Sequence, residues 1–334
     1  MKTRFYVYAL ALALLLAPAL SGQTFAADVK RFTIGTAGTA GALYPMGIAM
    51  AESITKHAPG LAATGEATAA SVENIRNMTS GKLWMGISQA EIAGLAYTGE
   101  GDYEKRPAKD LRSMYSTIFS YAQTFVPADS DITNYTQFKG KNFGVGPAGS
   151  GGEMAARMIL KFNDLTYKDL KPQFIPDAEA VSALKDGRIA GFMATHPLKS
   201  AALMDLTNSM KVRMISIDDP AFYKEYPFYA PHTIPAGTYT GVDVDVVVPH
   251  SRVVMFTSTK SGLTNDDVYN IMKAVWDHVE EWSGVNASVK NQVTWDQALN
   301  GVSVPMHTGA IRYFKERGVT IPAHLYPPEY EGPK

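Results

Sequence analysis

Two rhythms alternate along the chain. Short β-type runs give way to glycine-rich loops, and these to apolar positions at i, i+3 and i+4, the spacing of a helix with one buried face. Residues 31–35 (RFTIG) read as a strand, 35–41 (GTAGTAG) as a loop, 42–56 as a helix that stops before Pro59-Gly60, and 62–67 as a second strand. Ser71 stands where a hydroxyl caps a helix over 72–79, with Glu73 in the first turn and Gly81 just past the end. Residues 83–87 make the next strand.

The same order returns from residue 141. Residues 141–145 are strand-like, 146–152 (GPAGSGG) form a second glycine-rich loop, 153–162 are helical, and 171–175 are a strand. Asp177 is placed to cap a helix over 178–185, Gly187 ends it, and 189–193 are a strand. Ser80-Gly81-Lys82-Leu83 aligns with Asp186-Gly187-Arg188-Ile189. Strands that alternate with helices imply parallel pairing through crossover helices, so two such units predict a pair of α/β lobes. The last third has no counterpart in this repeat. Residues 242–248 and 253–257 are β-rich pieces either side of Pro249, and Thr264 is placed to cap a helix carrying Val268, Ile271, Met272, Val275, Val279 and Trp282 on one face. Two short helical pieces follow, ending at Gly301 and Gly318.

Composition narrows the function. The chain has 334 residues, 46% hydrophobic and 19% charged, which excludes disorder of the charged, apolar-poor kind. With 31 basic and 32 acidic residues it has no surplus charge for a phosphate backbone, so nucleic acid is not an expected partner. The absence of cysteine removes disulfides, thiolate chemistry and iron–sulfur clusters, and no His pair has metal-site spacing. No cofactor is expected. Residues 1–26 read as a secretory signal: Lys2 and Arg4, an Ala/Leu run broken by Pro18, then small residues up to a cleavage point at Ala26. Removing them leaves 29 basic and 32 acidic residues, and no cysteine to take a lipid. The expectation is an unanchored, monomeric protein of the periplasm.

Both glycine loops lead from a strand into a helix. The first amides of a helix have no partner within it, and the helix dipole adds positive potential there, so such a loop suits an anion. Thr36, Thr39 and Ser150 would add hydroxyls. Three enzymatic readings compete. Gly144 to Gly149 fits GxGxxG, but Pro147 and the extra glycines depart from a dinucleotide loop. Ser150 sits in a near-match to the nucleophile elbow, with His307 downstream, which makes an exported serine hydrolase the alternative function. Ser182 and Lys185 match SxxK near a helix end rather than its start. The aromatic run Phe222, Tyr223, Tyr226, Phe228 and Tyr229 reads as a packed loop.

Several motifs, in one order, resemble those of a known group. Residues 34–45 (IGTAGTAGALYP), Ser71-Val72-Glu73-Asn74, Lys139-Gly140-Lys141, 144–151 (GVGPAGSG), 234–239 (IPAGTY) and 304–314 (VPMHTGAIRYF) are similar to the signature segments of TRAP-associated extracytoplasmic immunogenic (TAXI) solute-binding proteins. The resemblance implies a type II periplasmic-binding-protein fold, two α/β lobes joined by a hinge with a ligand cleft between them. It implies one lobe from residues 27–125 plus 240–334 and the other from 126–239. It also implies a non-enzymatic receptor that delivers a small carboxylate, such as glutamate or 2-oxoglutarate, to TRAP membrane subunits. Ala37, Ala40, Leu43 and the pair Ala69-Ala70 depart from the pattern, standing where Gly, Gly, Tyr and Gly-Gly are usual.

The expected ligand contacts follow from the loops and the strand ends. From the first lobe they are Thr36 and Thr39, the segment Ala40, Gly41, Ala42, Leu43 and Tyr44, then Ser71, Asn74, Ser88 and Gln89. The second lobe offers Gly149, Ser150, Gly151 and Gly152. Thr195 and His196 end the strand equivalent to the one that Ser88 and Gln89 end. No Arg falls in either loop; Arg76, Arg157 and Arg188 are candidates by neighbourhood alone.

Overall fold

The computed structural model describes residues 29–39, 41–285 and 287–333; the signal segment and Ala40 lie outside these. Its first half follows the expected order: β1 (Lys30–Gly35), α1 (Leu43–His57), β2 (Leu61–Glu66), α2 (Ser71–Thr79), β3 (Met85–Gln89). An unforeseen helix, α3 (Ala90–Thr98), and an unforeseen strand, β4 (Leu111–Pro127), come next. The second unit is β5 (Asn142–Gly144), α4 (Gly151–Phe162), β6 (Lys171–Gln173), α5 (Asp177–Lys185) and β7 (Gly191–His196). Then come α6 (Ala201–Ser209), β8 (Val212–Ile215), α7 (Pro220–Glu225), β9 (Ala230–Ile234), β10 (Val246–Ser258), α8 (Asn265–Trp276), α9 (Val279–Ser283), α10 (Ala287–Lys290) and α11 (Thr308–Glu316).

The repeat is visible in the pairing. β1 lies between β2 and β3, parallel to both, and β5 lies between β6 and β7, parallel to both. The strands run β2-β1-β3-β10-β4-β7-β5-β6, so each unit is closed by one long antiparallel strand: β10 against β3, and β4 against β7. These two strands pair with each other from Leu111 to Tyr121 and from His250 to Ser258. Beyond Tyr121, β4 turns to β7 and β8; before His250, β10 pairs with β9. One apolar cluster runs from Phe32 to Ile118 and resumes in β10, α8 and α11. Two others flank the second unit, one under α5 and α6, one under α4 and α7. The result is the two-lobed α/β architecture implied by the sequence.

Several expectations change. β10 is one strand, not two pieces around Pro249. Pro249 stands opposite Pro231 of β9 and outside the β4 register, so its missing amide interrupts no ladder with β4. The helix expected through Trp282 breaks after Trp276, because the Trp282 indole donates to the Val275 carbonyl at 2.7 Å and occupies an acceptor that the next turn needs. Thr264 does cap α8, in a reciprocal box with Asp267. Asp177 does not cap α5: Pro176 is the capping residue, and the Asp177 carboxylate turns to His196 at 2.7 Å.

Ser71 is likewise the first residue of α2 rather than its cap. The cap is Ala70, at φ +74° and ψ −133°, and the Glu73 carboxylate reaches back to the Ala69 amide at 2.7 Å. A side chain at that φ meets its own backbone, and glycine does not. Ala70→Gly is therefore expected to raise stability by about 1 kcal/mol, read as a higher urea midpoint at unchanged slope.

The first lobe is completed late in the chain. Arg112 of β4, almost wholly buried, makes a two-pronged pair with Glu329, at 2.6 and 2.7 Å. His307 caps α11 by accepting from the Gly309 amide, and its own amide donates to Ser113 of β4.

Candidate functional site

The C-terminal ends of β1, β3, β5 and β7 and the starts of the helices that follow meet between the lobes. Glycine at two positions permits the approach. A Cβ on Gly151, the first residue of α4, would lie 1.7 Å from Gln89 Oε1 and 2.8 Å from Ser71 Oγ. A Cβ on Gly41, in the first loop, would lie 3.1 Å from the His196 ring. Gln89 ends β3 and His196 ends β7, the equivalent strands of the two units. So the loop of each unit rests on the strand end of the other, and the contact is made twice. A backbone hydrogen bond from Glu73 N to Gly149 O at 3.2 Å, and the Arg157–Asp102 ion pair at 2.6 Å, also cross between lobes.

Most predicted residues cluster here, with most of their polar groups engaged. Ser150 caps α4, its hydroxyl accepting from Glu153 N at 3.0 Å. Ser71 Oγ accepts from Gln89 N at 3.0 Å, the Gln89 amide group donates to Ser120 at 3.2 Å, and Ser88 donates to the Gln89 carbonyl at 2.9 Å. Asn74 ties the ends of β1 and β3 together, donating to the carbonyls of Thr36 (2.8 Å) and Ile87 (2.9 Å). The Thr36 hydroxyl donates to Glu66 O at 2.7 Å. Thr39 is exposed, and Ala42 opens α1 without a side-chain cap. Leu43 and Tyr44 begin α1, and Gly152 packs against Thr195. His196 is held by Asp177; burial pulls its pKa down, but the aspartate's charge and hydrogen bond outweigh that and leave it raised.

Of the three neighbourhood arginines, Arg157 alone bridges the lobes, pairing with Asp102 and, at 2.8 Å, with Glu153; Arg76 pairs with Glu73 and Arg188 with Asp186 at the surface. Arg157 also lines an interlobe cavity of about 530 Å³, with Leu95, Met154, Met158, Tyr226 and Phe228 among its walls. None of the predicted contacts lines it. The aromatic run therefore packs through Phe222 and turns Tyr226 and Phe228 to the cleft. The structure does not join Ser150 to His307: the first hydroxyl is spent on Glu153 N and the second ring accepts from Gly309 N at 3.1 Å. Burial lowers the His307 pKa to about 4.

One group escaped the sequence reading. Glu91, in the first turn of α3, is 2% exposed, and neither carboxylate oxygen has a hydrogen-bond partner among the described residues. Burial pushes its pKa up to about 7, against the opposing pull of the neighbouring Ser251 and Tyr229 hydroxyls. Its position after Gln89 was the only signal, since an acidic residue in a helix's first turn usually faces water.

The chain matches the NMT1-like family over residues 34–318. It belongs to that family. Solved structures similar to this NMT1-like protein include the alkanesulfonate-binding protein SsuA from Xanthomonas axonopodis pv. citri bound to MOPS (15% identity, TM-score 0.46, covering 80% of this chain and 81% of that one). A putative L-cystine ABC transporter from Listeria monocytogenes is similar at 14% identity and TM-score 0.48, over 81% of this chain and 98% of that one. The arginine-, lysine-, histidine-binding protein ArtJ from Geobacillus stearothermophilus is similar at 14% and 0.47, over 80% and 97%. No helix among the described residues is long and apolar enough to cross a membrane.

Two outcomes test this geometry. Gly151→Ala places a methyl against Gln89 and is expected to hold the lobes apart, seen as a larger radius of gyration in X-ray scattering with secondary structure unchanged. The Glu91 pKa of about 7 exceeds its ordinary 4.5, so the fold holds the proton more tightly than the unfolded chain. Stability from this group is full below pH 4.5 and is lost as pH rises to about 7, by at most about 3 kcal/mol. Glu91→Gln should remove that part of the pH slope in thermal melts.

Proposed function

We propose that this protein is a periplasmic solute receptor of the TAXI type, which captures a small organic anion such as glutamate or 2-oxoglutarate and presents it to TRAP membrane subunits. The observation that carries the reading is the doubled contact, Gly151 on Gln89 and Gly41 on His196. Two strand-to-helix loops from opposite lobes converge on one cleft, so the unpartnered first amides of α1 and α4 bring donors to a ligand from both sides. Such a site gains its affinity when the lobes close, and a receptor role suits the buried hydroxyls of Ser71, Ser88 and Ser150, each of which is engaged with a backbone group. The TAXI-like motifs supply the partner: 144–151 forms the second loop, and 34–45 the first loop and the start of α1.

The lobes divide, in this proposal, along the two long strands, one lobe from residues 27–125 plus 240–334 and the other from 126–239. Val242, Val246 and Val248 pack with the second lobe's core, which favours a return crossing within β10, later than residue 240.

The test is direct. Purified protein incubated with a panel of small carboxylates is expected to show a raised Tm with at least one of them and no consumption of any. Native mass spectrometry of protein isolated from its own periplasm is expected to show a bound mass matching such an anion. Turnover of the stabilising compound would overturn the receptor reading.

A further inference from the structure

Glu91, Tyr229 and Ser251 bring unsatisfied oxygens together at the junction of the lobes. Glu91 is 2% exposed, Tyr229 4% and Ser251 6%, and the two Glu91 oxygens and both hydroxyls have no hydrogen-bond partner among the described residues. They come from separate parts of the fold. Glu91 is the second residue of α3, two after Gln89; Ser251 lies on β10 opposite Ser120, the residue that Gln89 holds; Tyr229 packs in the second lobe's core ahead of β9. One helical turn beyond Glu91, Leu95 lines the 530 Å³ interlobe cavity, and Phe228, next to Tyr229, lines it from the other lobe. Glu91, Tyr229 and Ser251 stand behind that cavity's wall rather than in it.

Buried polar groups left unpaired are costly, and a bare buried carboxylate most of all. No lysine, arginine or histidine is among the groups that act on Glu91. A carboxylate flanked by two hydroxyls, whose protons can turn to it or away from it, carries a negative charge and lone pairs with no cation beside them, the complement of an ammonium, which has three N–H donors and accepts nothing.

We infer that Glu91, Tyr229 and Ser251 form a subsite for the primary ammonium group of the bound solute, which makes that solute an amino acid rather than a plain or 2-oxo carboxylate. The inference rests on the reading of the cleft as a carboxylate receptor and narrows it. The glycine loops take the anionic end and Glu91 the cationic end. A 2-oxo acid would present a carbonyl oxygen to a carboxylate, acceptor against acceptor. Because Tyr229 comes from the lobe opposite Glu91, an ammonium held by both would also hold the lobes together.

The experiment is calorimetric titration at pH 8, where Glu91 is ionised, of the wild type, E91Q and Tyr229→Phe with two matched pairs, L-glutamate with 2-oxoglutarate and L-alanine with pyruvate. The wild type is expected to bind one amino acid at least about tenfold tighter than its oxo partner, the scale of a charged hydrogen bond. E91Q should abolish that preference by weakening the amino acid, and Tyr229→Phe should reduce it. Circular dichroism melts confirm that both variants fold. Equal affinity for the oxo acid in the wild type, or a preference that survives in E91Q, overturns the subsite and leaves the receptor reading standing. Binding of none of the four overturns the carboxylate reading and this inference with it.

Discussion

Strands β4 and β10 are hydrogen-bonded to each other at the centre of one ten-stranded sheet, and beyond that shared stretch each takes its own partners, β4 pairing with β7 and β8 and β10 with β9. Nearly every position of both is buried. A strand covered on both faces ordinarily reads as continuously apolar. These carry Ser113, Ser116, Thr117, Ser120, Gln123, Thr124, Ser251 and Arg252 instead. Small hydroxyls let helices and loops pack close, and several find backbone acceptors: Ser113 donates to Val304 O at 2.7 Å and Thr117 to Val253 O at 2.8 Å. The pair thus joins the two parallel units in one sheet, β10 through β3 and β4 through β7.

What the sequence made legible was local and repeated. The glycine loops, the helices after them and the parallel strands either side follow from periodicity and turn chemistry, and the second copy reinforces the first. The unread part was the part that depends on distance along the chain. β4 lacks the apolar alternation that marks a strand because its polar side chains are satisfied by partners such as Val304 and Val253, far away in sequence. The caps show the same limit. Ser71 and Asp177 are good capping residues, but each is drawn to a residue on a neighbouring strand, Gln89 and His196, and the helices start without them.

The cleft sets two kinds of polar group side by side. Around Asn74, Ser71 and Thr36, side chains staple strand ends to one another beside the glycine loops. Around Glu91 the groups are unspent. The contrast is one of degree, since Asn74 Oδ1 and Gln89 Oε1 also lack partners among the described residues, but at Glu91 both oxygens do.

The pairing of Arg112 with Glu329 has a consequence for biosynthesis. The first lobe contains β1, near the start of the described chain, yet its core includes Ile321 and Leu325 and its buried arginine waits for residue 329. The second lobe draws most of its core from one continuous stretch that ends at Val248. As the chain emerges, the second lobe can therefore close while the first still lacks its last helix, its last apolar residues and the counter-charge for Arg112. Synthesis leaves the N-terminal unit open until almost the whole polypeptide has been made, while the second unit can fold ahead of it.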